Sequence, residues 1–274
     1  MMMMTVRDPV LLAEEHWREH GWNAGPQFLA ALSIYRTDDM VRVSNDAMLR
    51  PHQLTRSRHE ALAVLFFSRR GEMPLSRLSE RLLVHPTSVT STVNTLQRLG
   101  FVDRLSHPND RRSTLARITL KGRRAMKQTT RALAEDRLGL SALDEREAER
   151  LFDLLRRVRA DAGDLKHAFR RADPEGVAID PVLVAESNWE SRGWVARPHF
   201  RAGLSIYHCA ELIRQAMTDA MAPHGLTFVL HEALAVLFFS RRGEMPMGKL
   251  GDRLLVHPTS VTSTIDRLEN LELV

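Results

Sequence analysis

Cysteine is almost absent from this sequence: Cys209 stands alone among 274 residues. A single thiol excludes an internal disulfide and any thiolate zinc site built from one chain. Free cysteines are usually buried and inert, and a redox sensor is the sharper alternative. Aromatic residues are scarce too, at 6% of the chain, while Leu, Ala, Arg and Glu dominate and favour helix. No apolar run approaches the ~18 residues needed to span a bilayer. Met1–Met4 is too short for the core of a signal peptide, so the cytoplasm is the compartment these absences imply. A glycine-rich phosphate loop, a nucleophile elbow and a repeated metal-ligand spacing are also missing, so nothing points to an enzyme, a metal or a cofactor. His16 and His20 have a metal-compatible spacing, but the positions that repeat them hold Asn188 and Arg192.

What the chain does contain is a repeat of itself. His59 to Pro74 recurs unchanged as His231 to Pro246, and Arg81 to Thr92 recurs unchanged as Arg253 to Thr264, both at an offset of 172. The same offset aligns Asp8-Pro9 with Asp180-Pro181, Trp17 with Trp189 and Trp22 with Trp194 without a gap. A period this long marks a duplicated domain and not a solenoid. The expected organisation is a complete first domain at 1–169, a linker at 170–179 rich in charge, Pro and Gly, and a second copy at 180–274. The second copy ends at Val274, aligned with Val102, and so has no wing and no C-terminal helices.

In the first copy, Asp8 caps a short helix that runs to about His20, and a longer helix covers Gln27 to about Leu49. Ser57-Arg-His-Glu60 has the pattern of a capping box before a third helix. The stretch from Met73 to Leu120 organises the rest. A helix is expected from Pro74, with Leu75, Leu78, Leu82 and Leu83 on one face. Val84-His85-Pro86 breaks it, and a second helix runs from Pro86 to about Leu99. Val89, Val93, Leu96 and Leu99 face one side of that helix. Thr87, Ser88, Thr90, Ser91, Asn94 and Arg98 lie toward the other, with Thr95 beside them. This outer face is short, polar and nearly free of acid, and asparagine is the residue type that pairs with adenine edges. A strand from Phe101, a polar turn with Arg111 and Arg112, and a return strand from Thr114 to Leu120 complete a winged helix-turn-helix.

At these residues the sequence resembles the multiple antibiotic resistance regulator (MarR) family of transcription factors. The matching pieces are Leu78-Ser-Glu-Arg-Leu82, Pro86-Thr-Ser-Val-Thr90, Leu96 to Val102, Asp110-Arg-Arg112 and Ile118-Thr-Leu-Lys-Gly122. The resemblance implies a mainly α fold, a winged helix-turn-helix with flanking dimerisation helices, here duplicated. It also implies double-stranded DNA as the partner. Pro86–Arg98 then enters the major groove and Arg111 or Arg112 the minor groove, with Asp110 positioning the arginine. In the second copy the equivalent face is Thr259, Ser260, Thr262, Ser263, Asp266 and Arg267. The family commonly has Asp-Arg where the first copy has Asn94-Thr95, so the first copy is the departure.

Polar helix faces are usually just solvated, and here the basic wing that follows turns the reading toward DNA. The resemblance further implies a small phenolic effector, for which Trp17, Trp22 and Tyr35 are candidate contacts, with core or dimer packing as their ordinary role. The expected function is a regulator that recognises a near-palindromic operator, as a homodimer or as an intrachain pseudo-dimer. The rival is a partner-binding or dominant-negative protein that pairs with full-length relatives.

Overall fold

The computed structural model describes residues 8–82, 84–107, 110–167, 180–240, 242–254, 256 and 258–274, without the side chains of Arg111, Arg112, Lys166, His167 and Pro258. The expected linker at 170–179 lies outside the described residues. The fold is mainly α-helical with a three-stranded sheet.

Helix α1 (Pro9–Glu19) starts as its sequence dictates: the Asp8 carboxylate accepts from Val10 N at 2.8 Å and Pro9 occupies the first turn. Helix α2 (Pro26–Leu49) gives way to a 3-10 turn at Arg50–His52. Helix α3 (Arg56–Phe67) begins one residue before the expected capping box, with Thr55 at the cap position. Ser57 therefore lies inside the first turn and is not the cap, and Glu60 pairs with Arg56 Nε at 2.9 Å.

The sequence reading departs most from the structure at Glu72–Pro74. These residues form strand β1, which pairs antiparallel with β3 (Asp110–Ile118) through Met73↔Ala116. Pro74 therefore ends a strand instead of opening α4 (Leu75–Leu82). Proline is tolerated because β1 is an edge of the sheet, ordered β1-β3-β2 with β2 at Val102–His107. A third strand thus backs the wing that the sequence suggested was two-stranded. The turn is also shorter: Asp110, Arg111 and Arg112 already belong to β3, and Leu120 belongs to helix α6 (Leu120–Glu135), not to the sheet.

Helix α5 (Pro86–Arg98) lies between α4 and β2. Helix α6 meets the sheet at a single glycine. A Cβ on Gly122 would lie 2.2 Å from the Phe101 carbonyl oxygen, so only glycine allows this approach. Thr119 caps the helix, its hydroxyl accepting from Gly122 N at 3.0 Å. After a 3-10 turn at Arg137–Gly139, helices α7 (Glu145–Asp161) and α8 (Asp164–His167) replace the one helix expected over 142–169. Leu62 and Phe66 of α3, Leu78 of α4, Val93 and Leu96 of α5, Val102 and Ile118 of the sheet and Met126 of α6 share one buried core. Each such apolar side chain contributes about 1.5–3 kcal/mol on burial.

The second copy forms α9 (Pro181–Glu190), α10 (Pro198–Met221), α11 (Phe228–Phe238), α12 (Met247–Leu254) and α13 (Pro258–Asn270). Its first helix repeats the opening device, with Asp180 accepting from Val182 N at 2.9 Å. Leu230, Ala233 and Leu268 form the buried centre of its helix-turn-helix.

The compact units of the chain do not follow its two sequence copies. One unit joins Met1–Met40 and Leu155–His167 to Ser205–Val274, and the other joins Val41–Leu154 to Ala168–Leu204. In the first unit, Trp17 packs against Trp22 at 4.8 Å and Phe28 at 4.6 Å, and Trp22 stacks on Phe238 at 5.9 Å. In the other, Trp189 packs against Trp194 at 5.0 Å and Phe200 at 4.6 Å, and Trp194 stacks on Phe66 at 5.5 Å. Each copy's first helix therefore docks on the helix-turn-helix of the other copy, through the same four aromatic positions.

Candidate nucleic-acid interface

The turn between α4 and α5 is held by its own backbone and one hydroxyl. Ser79 Oγ donates to Val84 O at 2.7 Å, and Val84 N donates to Ser79 O at 3.3 Å. His85 then caps α5, its Nδ1 accepting from Thr87 N at 3.4 Å, and Pro86 starts the helix with no N–H to satisfy. Val89, Val93 and Leu96 turn inward and are buried. Thr87, Ser88, Ser91, Asn94 and Arg98 are exposed, while Thr90 and Thr95 are half-buried. The Thr90 hydroxyl donates to Pro86 O at 3.0 Å, a bond within its own helix that leaves only the methyl and the oxygen lone pairs for a partner.

The polar face of α5 is tied to the wing. Arg104 of β2 donates from Nη1 to Asn94 Oδ1, and Arg98 Nη2 donates to Thr95 Oγ1 at 3.2 Å. Asn94 is thus oriented by a guanidinium from the neighbouring strand. Other basic residues around the wing also have internal roles. Lys121 Nζ donates to Leu99 O at 2.7 Å, closing the C-terminal end of α5, where a cation complements the helix dipole. Arg117 pairs with Glu72 at 2.6 Å, and Arg123 lies over the Phe66 ring at 5.8 Å. Asp110 is exposed at the start of β3, next to Arg111 and Arg112, whose side chains lie outside the described residues.

In the second copy, Val261 and Leu268 of α13 are buried, and Thr259, Ser260, Thr262, Ser263, Asp266 and Arg267 are exposed. The two faces share their first two turns and then diverge. Asn94, Thr95, Gln97 and Arg98 in α5 correspond to Asp266, Arg267, Glu269 and Asn270 in α13. The outer half of α13 therefore carries two carboxylates where α5 carries none.

Trp17 and Trp22 are packed among aromatic side chains, and Tyr35 donates its hydroxyl to Glu232 Oε2 at 3.0 Å. Burial, and then the Glu232 carboxylate beside it, push the Tyr35 phenol upward, so it remains a neutral donor. A cavity of about 530 Å³ is lined by residues that include Trp189 and Trp194, which stand at the positions of Trp17 and Trp22 in the second copy. Cys209 is buried with Sγ 3.7 Å from Leu155 O, and burial pushes its thiol up to about 11, which keeps it protonated and unreactive. No group of three or more metal-ligating side chains occurs among the described residues. No single helix among them is long and apolar enough to cross a membrane.

Comparison with known proteins adds the family. Residues 54–114, which run from the start of α3 through the wing, match the model of the MarR family. The chain is 30% identical over 122 residues to the HTH-type transcriptional regulator MhqR of Bacillus subtilis, covering 43% of this chain and 82% of that protein. It is also 30% identical over 96 residues to the uncharacterized HTH-type transcriptional regulator ML2140 of Mycobacterium leprae, covering 35% of this chain and 67% of that protein. Among solved structures, Sco5413, a MarR family transcriptional regulator from Streptomyces coelicolor, is 44% identical, with 52% of this chain and 98% of that chain covered and a TM-score of 0.48. The chain belongs to the MarR family and carries the winged helix-turn-helix of a DNA-binding transcriptional regulator, not an enzyme.

Proposed function

We propose that this protein is a cytoplasmic regulator that grips a near-palindromic operator with two recognition helices supplied by one polypeptide. The single observation that carries the reading is the outer face of α5: exposed, short-chained, free of carboxylates and joined to the wing through Arg104 and Asn94. Such a face lets the backbone come close to base edges, while arginines beside it neutralise phosphates. In this reading Thr87, Ser88, Ser91 and Asn94 contact bases in the major groove, and Arg111 or Arg112 enters the minor groove. Thr259, Ser260, Thr262, Ser263, Asp266 and Arg267 of α13 serve the second half-site.

The exchange of Trp-bearing first helices between copies supports an intrachain pseudo-dimer over a conventional homodimer. Each helix-turn-helix already holds the helix that a second chain would otherwise bring to it. The reading includes response to a small effector.

Selection of bound duplex from a random pool by the full chain tests it. The expected product contains two related half-sites about one helical turn, roughly 34–36 Å, apart, retained in a salt-sensitive manner by a chain that light scattering finds monomeric. A chain that retains no duplex at low salt overturns the DNA reading. A dimer in light scattering overturns the pseudo-dimer and leaves DNA binding in place.

A further inference from the structure

The first turn of α5 has no spare backbone donor. Pro86 has no N–H, Thr87 N donates to His85 Nδ1 at 3.4 Å, and Ser88 N and Val89 N donate to His85 O at 2.9 and 3.3 Å. A helix start ordinarily meets a phosphate through such N–H groups. Here positions 86–89 have none to give, so the contact passes to the side chain at the cap.

That side chain is an unusual choice. Ser, Thr, Asp and Asn are the strong N-caps, and elsewhere the chain uses them: Asp8 on α1, Thr119 on α6, Asp180 on α9 and Thr227 on α11. Capping alone would not call for an imidazole. A carboxylate at the cap of α5 would also repel a phosphate, whereas an imidazole offers an N–H to it.

The two ring nitrogens of His85, an exposed residue, have different tasks. Nδ1 lies 2.8 Å from Thr87 Oγ1 as well as 3.4 Å from Thr87 N. A backbone N–H can only donate, so Nδ1 is the bare nitrogen and the Thr87 hydroxyl donates to it too. In the neutral ring the proton then sits on Nε2, which makes no hydrogen bond among the described residues.

This arrangement also fixes what Thr87 can read. With its proton held by His85, its hydroxyl shows a partner only oxygen lone pairs and a methyl group. Thr90, whose hydroxyl donates to Pro86 O, is restricted in the same way. In the major groove the donors are the exocyclic amines of adenine and cytosine. Guanine shows two acceptors, and thymine an acceptor and a methyl.

We infer that His85 is a two-ended anchor, its Nε2–H donating to a DNA phosphate while its Nδ1 holds Thr87 as an acceptor for the amino group of adenine or cytosine. The inference rests on the DNA-binding reading of α5 and adds a phosphate contact and a rule of base choice to it.

Two substitutions separate the ends of the ring. His85→Asn keeps a capping oxygen near the Nδ1 position and loses the outward donor. His85→Gln keeps an outward amide and loses the cap. On duplexes selected by the wild-type chain, His85→Asn should bind about tenfold more weakly at every sequence, the worth of a hydrogen bond to a charged group, with base preference kept. The base read by Thr87 is the one at which Thr87→Val erases discrimination. There the wild type should favour adenine or cytosine by about fivefold, and His85→Gln should remove that preference. Adding His85→Gln to Thr87→Val should change base choice no further. Long-range proton–nitrogen spectra of the free chain should show His85, identified by the signal lost in His85→Asn, with Nδ1 bare and Nε2 protonated.

A proton on Nδ1, undiminished binding by His85→Asn, a preference that survives His85→Gln, or guanine or thymine favoured at that base would each overturn the assignment while the wild type still binds DNA. A wild-type chain that retains no duplex overturns the DNA reading itself, and the assignment with it.

Discussion

The two helix-turn-helix segments of this chain share long identical stretches and yet sit in different surroundings. In the first copy Phe66 is 2% exposed; in the second, the same residue of the same sixteen-residue segment, Phe238, is 55% exposed. Leu62 is fully buried, and its counterpart Leu234 is half-buried. The reason is what lies on top of them. The sheet and Met126 of α6 complete the core over α3, whereas the centre over α11 consists of Leu230, Ala233 and Leu268 with partly buried neighbours. Helix formation is thus a local property repeated with the sequence, and the stability of each copy is set by its coverage.

The comparison breaks most easily at the phenylalanines. Phe66→Ala should cost about 3–5 kcal/mol in denaturant unfolding, whereas Phe238→Ala should cost under ~1 kcal/mol. Equal costs would mean that Phe238 is covered in solution.

The paired histidines at the start of the same segment give the next effect. Burial lowers His59 to about 4 and also lowers His231, less severely. A ring whose folded pKa lies below its unfolded value of 6.5 is neutral in the fold, and the unfolded chain takes up its proton first. Stability is therefore full above about pH 6.5 and falls as the pH drops toward 4, by about 2–3 kcal/mol for His59. His59→Gln should remove most of that slope, and His231→Gln should remove less; unfolding midpoints between pH 4 and 7 measure both.

On DNA, the divergent halves of the outer faces of α5 and α13 should separate the copies. Thr87→Ala with Ser91→Ala should weaken operator binding by about tenfold or more, and Thr259→Ala with Ser263→Ala by less, since Asp266 and Glu269 already repel phosphates. Fluorescence anisotropy at fixed salt decides it, and a reversed order would assign the dominant contact to α13. Within the first copy, Arg104→Ala should shift site preference as Asn94→Ala does, because the guanidinium orients that amide.

The smallest expected change sharpens the same contrast from the other side. Gly248 of α12 stands where α4 has Ser76, and a Cβ there meets nothing within 4 Å. Gly248→Ala should therefore stabilise the chain by about 0.5–1 kcal/mol, read as a rise in the unfolding midpoint.

Much of α5 was legible in the sequence. Val89, Val93 and Leu96 recur at helical spacing, and Pro86 and Gly100 bound the helix, so α5 and its outward residues follow from short-range signals. Arg104 as the partner of Asn94 was not legible, because it depends on how β2 lies across α5. The capping box failed because α3 starts at Arg56 with Thr55 at the cap position, which puts Ser57 inside the first turn. The cavity was out of reach for the same reason as β1: its walls come from α6 and from the α9–α10 loop, far apart in sequence.

Sequence alone determined the internal repeat, most of the helices, the outward polar residues of α5 and α13 and their difference in charge, because periodicity, caps and side-chain chemistry act within a few residues. Tertiary structure decided which copy's first helix docks where, and it decided the fate of one tripeptide. Glu-Met-Pro is a strand at Glu72–Pro74, where β3 offers its backbone, and is not a strand at Glu244–Pro246. A strand needs a partner for its hydrogen bonds, and that partner lies elsewhere in the chain.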